Sequence, residues 1–245
     1  MLKLDGKVSI ITGAGTGIGQ GIARAFCREG SFVILAARRQ EIIGQTADDI
    51  NQESGTAEAI VTDVTKESQV MSLFRETIAK YGTVDILVNN AGIYESSPLD
   101  EISRESWERT ISTNLTGAFF CTREALKIMK EHDGGRIINI GSISAKVPRW
   151  NAAAYTASKF GLTGLTMATA LEGREHNVSA SILHPGNVHT ELRDFRTGTA
   201  DLDMEPGMMT ETLAETALAM ASLPLHANMI ESTVLPIDQP YIGRG

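Results

Sequence analysis

Short apolar runs rich in β-branched residues alternate with longer amphipathic runs along nearly the whole chain, and few folds accommodate that order. Strands are expected at Val8–Thr12, Phe32–Ala36, Glu58–Thr62, Val84–Asn89, Arg136–Ile140, Val178–Leu183 and Glu231–Pro236. Helices are expected over Gly17–Arg28, Glu41–Glu53, Glu67–Lys80, most of Ser103–Lys130, 153–175 and 210–222. Strands separated by helices pair in parallel, and a parallel sheet needs cover on both faces. Right-handed crossovers then imply an α/β class: a doubly wound, seven-stranded, mostly parallel sheet with helices on both faces.

No linker, repeat or low-complexity tract divides the 245 residues, so residues 1–245 are read as a single domain. One stretch, 190–209, lacks periodicity; a loop of that length in a compact domain is expected to be functional, here a substrate lid.

Composition narrows the partners. Twenty-two Lys and Arg against 30 Asp and Glu leave a net charge of −8, which argues against nucleic acid, whose phosphates need a basic surface. Cys27 and Cys121 are far apart, each in an apolar helical stretch, and read as small core residues with no metal-like spacing. Met1–Lys7 lacks the apolar run of a signal peptide, and no apolar run reaches the roughly 18 residues of a membrane span. The chain is therefore expected to be cytoplasmic, with no membrane partner and no metal.

The first strand runs into Thr12-Gly-Ala-Gly-Thr-Gly-Ile-Gly19 and then the first helix. Strict G-x-G-x-x-G fails, because Ile18 and Gln20 stand where a third glycine would fall; the pattern present is Gly13-x-x-x-Gly17-x-Gly19. Glycines permit a tight turn and close backbone approach to a pyrophosphate, whose charge a helix N-terminus stabilises. In this strand–turn–helix context the stretch reads as a dinucleotide site in a Rossmann fold, with Gly13, Thr16, Gly17, Ile18 and Gly19 against the cofactor.

At the end of the second strand, Ala37 leaves no carboxylate for a free ribose 2′-hydroxyl, and Arg38 and Arg39 follow at once. A guanidinium binds a 2′-phosphate with several donors, where a carboxylate would repel it. The expected cofactor is NADP(H), with NAD(H) second.

Tyr155 and Lys159 lie four residues apart, on one face of the helix expected at 153–175. An ammonium beside a phenol favours the phenolate, which suits a proton donor and acceptor near neutral pH.

Together with Asp63-Val64, Asn89-Asn-Ala-Gly92, Asn114, Ser142 and Pro185-Gly186, these motifs make the chain resemble a short-chain dehydrogenase/reductase from about Lys7 to the last strand. The resemblance implies an alcohol/carbonyl oxidoreductase in which Tyr155 transfers the proton, Lys159 supports it and binds the nicotinamide ribose, Ser142 donates to the substrate oxygen, and Asn114 holds a water in a relay from Lys159. It also implies that Asp63 meets the adenine amino group beside Val64, that Asn90, Ala91 and Gly92 line the cofactor, and that Pro185, Gly186, Val188 and Thr190 fix the nicotinamide. The alternative readings are that Asn89 ties strands together and that Pro185-Gly186 simply ends one. The C-terminus, Leu235-Pro-Ile-Asp-Gln-Pro-Tyr-Ile-Gly-Arg-Gly245, lacks the Asp-Gly-Gly turn of many relatives and looks more like a branch of hydroxy-acid and serine dehydrogenases and NADP-dependent carbonyl reductases.

Substrate contacts are expected around Ser144–Trp150, in Tyr94 and Glu95 and in the loop after Thr190, with Tyr94, Ser144, Trp150 and Met204 named first, Met208 and Met209 as adaptable apolar surface and Arg193 and Arg196 as candidate carboxylate partners. His184 and His189 are read as supporting residues. Small residues on the helices around 103–130 and 153–175 suggest close helix pairing, and the resemblance implies a homotetramer or homodimer. Two other readings remain. A catalytically silent dinucleotide sensor predicts the loss of a catalytic position. A lyase or epimerase predicts a larger substrate domain.

Overall fold

The computed structural model describes residues 2–53, 55–190 and 206–241. Among them seven strands form one sheet: β1 (Val8–Thr12), β2 (Phe32–Ala37), β3 (Thr56–Val61), β4 (Ile86–Asn89), β5 (Gly135–Ile140), β6 (Val178–Pro185) and β7 (Glu231–Val234). Their spatial order is β3-β2-β1-β4-β5-β6-β7, and every adjacent pair is parallel, beyond the mostly parallel sheet expected. The chain winds from β1 out to β3, then returns to place β4 on the other side of β1. This reversal opens a crevice beyond the carboxyl ends of β1 and β4, where doubly wound sheets bind their ligands.

The helices are α1 (Gly17–Arg28), α2 (Gln40–Gln52), α3 (Glu67–Tyr81), α4 (Arg104–Ile111), α5 (Gly117–Glu131), α6 (Ala153–Gly173) and α7 (Thr210–Ala221). Every residue of β1, β4 and β5 is buried, the polar Ser9, Asn89 and Asn139 included, as befits strands covered on both faces. One core layer joins α1, α2 and α7 to the sheet through Ile22, Phe26, Ile43 and Ala217; Leu73, Cys121 and Met129 build a second from α3 and α5. Both cysteines are buried in these layers. Desolvation pushes Cys27 up to about 11 and Cys121 to about 12, so both are inert core residues as expected.

Two boundaries differ in ways that matter. The helix expected over Ser103–Lys130 is interrupted by a π-helical turn, Ser112–Thr116, which carries Asn114; such turns recur at functional positions. β3 starts two residues early, at Thr56, because an edge strand alternates too weakly to mark its own start. Of the proposed lid, residues 191–205 lie outside the described residues, and with them Met204, Arg193 and Arg196. The end of that stretch is tied down rather than loose. Met208 is buried, its N–H donates to Asn187 O at 2.9 Å, and its carbonyl accepts from His189 N at 2.9 Å. Among the described residues no helix is long and apolar enough to cross a membrane.

Candidate active site

At the end of β1 the chain turns through Gly13 (φ 64°) and Gly17 (φ 58°) into α1. A Cβ on Gly13 would lie 2.9 Å from Ala91 Cα. One on Gly19 would lie 2.4 Å from Asn90 Nδ2, so Gly19 serves the packing of the turn. Asn90 fastens the turn to β4: its Nδ2 donates to the carbonyls of Thr12 and Gly13, both at 3.0 Å. Thr12 Oγ1 accepts from the N–H groups of Asn90 and Ala91 at 3.0 and 3.1 Å.

Thr16 is the N-cap of α1, makes no side-chain capping bond, and no acidic residue occupies the first turn. The positive helix end therefore faces a cleft of about 220 Å³ that the turn lines. Arg38 and Arg39 leave β2 on one side of it; Asp63 and Val64 follow β3; Ala91 and Gly92 follow β4. Asp63 is oriented by Thr65, whose N–H and Oγ1 donate to its Oδ1 at 3.0 and 2.8 Å. A helix N-terminus for a pyrophosphate and two arginines where β2 lacks a carboxylate suit a nicotinamide dinucleotide.

A second cleft of about 100 Å³ adjoins the first, sharing Ile18, Asn90, Gly92 and Thr190. Ser142, Tyr155 and Lys159 line it, as do Tyr94, Ser144, Pro185, Gly186 and Val188. Ser142 follows β5 in an extended conformation, and its Oγ accepts from Ser144 N at 3.1 Å. Tyr155 and Lys159 sit one turn apart on α6, with Nζ 5.6 Å from the phenol ring centroid. Lys159 is buried and donates to Ile140 O at 2.7 Å, and desolvation pushes its pKa down to about 8. The Tyr94 ring meets the Tyr155 ring edge-on, centroids 5.1 Å apart.

Asn114 lies behind this cleft rather than in its wall. Its Oδ1 accepts from Ile93 N at 2.8 Å, and its Nδ2 donates to Ile93 O at 2.9 Å and Ser158 Oγ at 3.1 Å. Asn89 ties strands and helix together, its Nδ2 donating to Asn139 Oδ1 at 2.8 Å and Thr122 Oγ1 at 3.0 Å.

Trp150 corrects an expectation. It is 94% exposed and is not among the described residues lining the second cleft, and the chain passes next through Asn151 in the left-handed region (φ 55°). Its neighbour Arg149 lines the cleft instead, with Nη2 donating to Asn187 Oδ1 at 3.1 Å. It falls within the stretch Ser144–Trp150 from which substrate contacts are expected, though nothing in the sequence singled it out there. Met209 is exposed, and the Glu95 carboxylate is held by Arg109 at 2.6 and 2.7 Å and by Ser106, the Arg109 bonds lowering its pKa.

His184 is the other residue whose place only the fold reveals. It is wholly buried behind Ser142, with Nε2 3.8 Å from Glu231 Oε1, and Glu231 pairs with Lys146. Burial lowers its pKa and keeps the imidazole neutral.

A family model described as short chain dehydrogenase matches residues 7–200. An uncharacterised oxidoreductase of Bacillus subtilis, YxjF, is 39% identical over 209 residues, covering 85% of this chain and 80% of that protein. Among solved structures, a short-chain type dehydrogenase/reductase from Mycobacterium marinum superposes with a TM-score of 0.89 at 30% identity, covering 96% of each chain. A metagenomic short-chain oxidoreductase in complex with NADP superposes with a TM-score of 0.84 at 30% identity, covering 96% of this chain and 98% of that one.

Proposed function

Because the chain belongs to the short-chain dehydrogenase family, and so is an oxidoreductase working with a nicotinamide dinucleotide, we propose that it interconverts a secondary alcohol and a carbonyl using NADP(H), as one dinucleotide-binding and catalytic domain. The observation that carries this reading is that Ser142, Tyr155 and Lys159 line one cleft that adjoins the glycine-turn cleft.

When bound, the nicotinamide supplies or accepts the hydride. Tyr155 gives or takes the proton at its phenolic oxygen. The buried Lys159 ammonium beside the ring stabilises negative charge on that oxygen. Ser142 donates to the substrate oxygen: the Ser144 N–H already occupies a lone pair of its Oγ, which leaves the hydroxyl proton for the cleft. Asn114 braces Ile93 and, through Ser158, the turn of α6 that bears Tyr155; a water relay from it to Lys159 belongs to the same reading. Pro185, Gly186, Val188 and Thr190 hold the nicotinamide end.

Arg38 and Arg39 favour the 2′-phosphate, a preference in keeping with the NADP complex of the metagenomic relative. Exposed Phe119 on α5 and Phe160, Met167 and Leu171 on α6 suit burial against a second copy, so the assembly is read as a homodimer or homotetramer. The experiment is an absorbance screen at the nicotinamide band, with both cofactors, against ketones, aldehydes, quinones, keto acids and sugars. Oxidation of NADPH by a carbonyl substrate is expected; no turnover with any substrate overturns the reading.

A further inference from the structure

We propose that Glu231 is a positioning residue: its carboxylate sets which ring nitrogen of His184 carries the proton, and that choice fixes the backbone of Ser142. This rests on the reading above that the Ser142 hydroxyl meets the substrate oxygen. Glu231 opens β7 and pairs with Ile182 on β6. His184 lies two residues beyond Ile182, so its ring projects to the same face of the sheet as the Glu231 side chain. One ring nitrogen, Nδ1, meets the backbone of Ser142, and the other, Nε2, faces Glu231. Lys146, from the loop that begins at Ser142, pairs with Glu231, and its hydrogen bond lowers the carboxyl pKa and keeps the group charged.

Burial keeps the imidazole neutral, and the charges of Lys146 and Lys159 also oppose a second proton, so the ring has one proton to place. Nδ1 lies 3.2 Å from Ser142 N and 2.9 Å from Ser142 O. The Ser142 carbonyl already accepts from Ala145 N at 2.9 Å, whereas Nδ1 is the only acceptor for Ser142 N–H among the described residues. Nε2 is buried without a hydrogen-bond partner, 3.8 Å from Glu231 Oε1. A proton on Nδ1 would leave Ser142 N–H without an acceptor and turn the bare Nε2 lone pair toward a carboxylate. A proton on Nε2 removes both conflicts: Nδ1 accepts from Ser142 N–H, and Nε2–H is drawn to the negative charge. The Nδ1 lone pair then lies close to Ser142 O. A small ring rotation relieves that contact, whereas an unpaired buried N–H has no such remedy.

Ring-nitrogen NMR of histidine-labelled protein tests this directly, with His184 identified as the signal missing from His184→Asn. The wild-type ring is expected to carry its proton on Nε2, and Glu231→Gln should shift it toward the Nδ1–H form. A wild-type ring protonated at Nδ1, or a tautomer indifferent to Glu231→Gln, overturns the proposal. Kinetics with a carbonyl substrate from the screen above follow the effect to Ser142. Glu231→Gln should lower kcat about fivefold with KM for NADPH unchanged, because a misplaced donor weakens transition-state stabilisation. In a His184→Leu background the same change should cost nothing further, since Glu231 then has no ring to act on. Lys146→Met breaks the ion pair but leaves the carboxylate in place, and should keep kcat within about twofold of the wild type. Losses that add in the double variant, or a Lys146→Met loss as large as that of Glu231→Gln, would mean that the ion pair merely tethers the loop, and the proposal falls. If no carbonyl compound is turned over, the proposed function fails, and the tautomer alone decides for or against Glu231.

Discussion

The Nδ1 atom of His184 lies 2.9 Å from the carbonyl oxygen of Ser142 and 3.2 Å from its amide nitrogen. One buried imidazole thus holds the backbone of the residue whose hydroxyl is proposed to meet the substrate oxygen. It also explains Gly141, since a Cβ there would stand 2.5 Å from Nδ1. His184 sits where β6 ends, Ser142 where β5 ends, and the parallel register brings the two together.

Replacing His184 tests this hold. His184→Leu keeps the volume but removes Nδ1, and kcat should fall about tenfold with KM for NADPH unchanged, because a misplaced donor weakens transition-state stabilisation. His184→Asn, whose amide can reach the same backbone groups, should restore most of the rate. Equal losses in both variants would point to packing alone.

Tyr155→Phe should lower turnover at least about 1,000-fold, near the upper range for a lost general acid, while NADPH still binds. Fluorescence titration of NADPH against the variant measures the second half of that statement. Retained turnover would remove Tyr155 from the proton-transfer role.

Arg38→Ala should weaken NADPH about 10- to 100-fold and leave NADH nearly unchanged, because only the former carries the 2′-phosphate that a guanidinium would meet. Titration with both cofactors decides it. Equal effects on the two would defeat the 2′-phosphate assignment.

Lys159 links activity to pH. Its pKa is held at about 8 by burial, against about 10.4 for an unfolded lysine, so the folded state carries the full cost of a buried charge below pH 8. Between pH 8 and about 10.4 the folded protein has released a proton that the unfolded chain keeps, and this contribution to stability rises with pH. Lys159→Met should therefore gain about 1–3 kcal/mol below pH 8, less the lost bond to Ile140, and the gain should shrink toward pH 10. Wild-type reduction should decline above about pH 8, as the ammonium beside Tyr155 loses its charge. Urea unfolding and kcat measured across this range check both.

Much of the site could be read from local pattern. Gly13 and Gly17 announced a turn because their backbone needs positive φ, and Tyr155 and Lys159 announced a shared face because helical spacing puts them there. Trp150 was expected in the cleft wall because an aromatic side chain suits one, yet the indole lies in solvent, since local sequence does not fix which way a loop side chain faces. Asn114 stood in a helical pattern that showed no sign of the π-helical turn around it.

Periodicity, glycine demand and short-range spacing are properties of a few consecutive residues. They were enough to predict a seven-stranded, mostly parallel sheet, the glycine turn after the first strand and the shared face of Tyr155 and Lys159 before any contact was known. The position of Arg149 against Asn187, of His184 behind Ser142 and of Asn114 against Ile93 arises from pairs separated by 38, 42 and 21 residues. Such pairs meet only once the sheet has brought strand ends into register and packed the loops over them, so tertiary structure alone decided where these side chains sit and what holds the backbone of Ser142 in place.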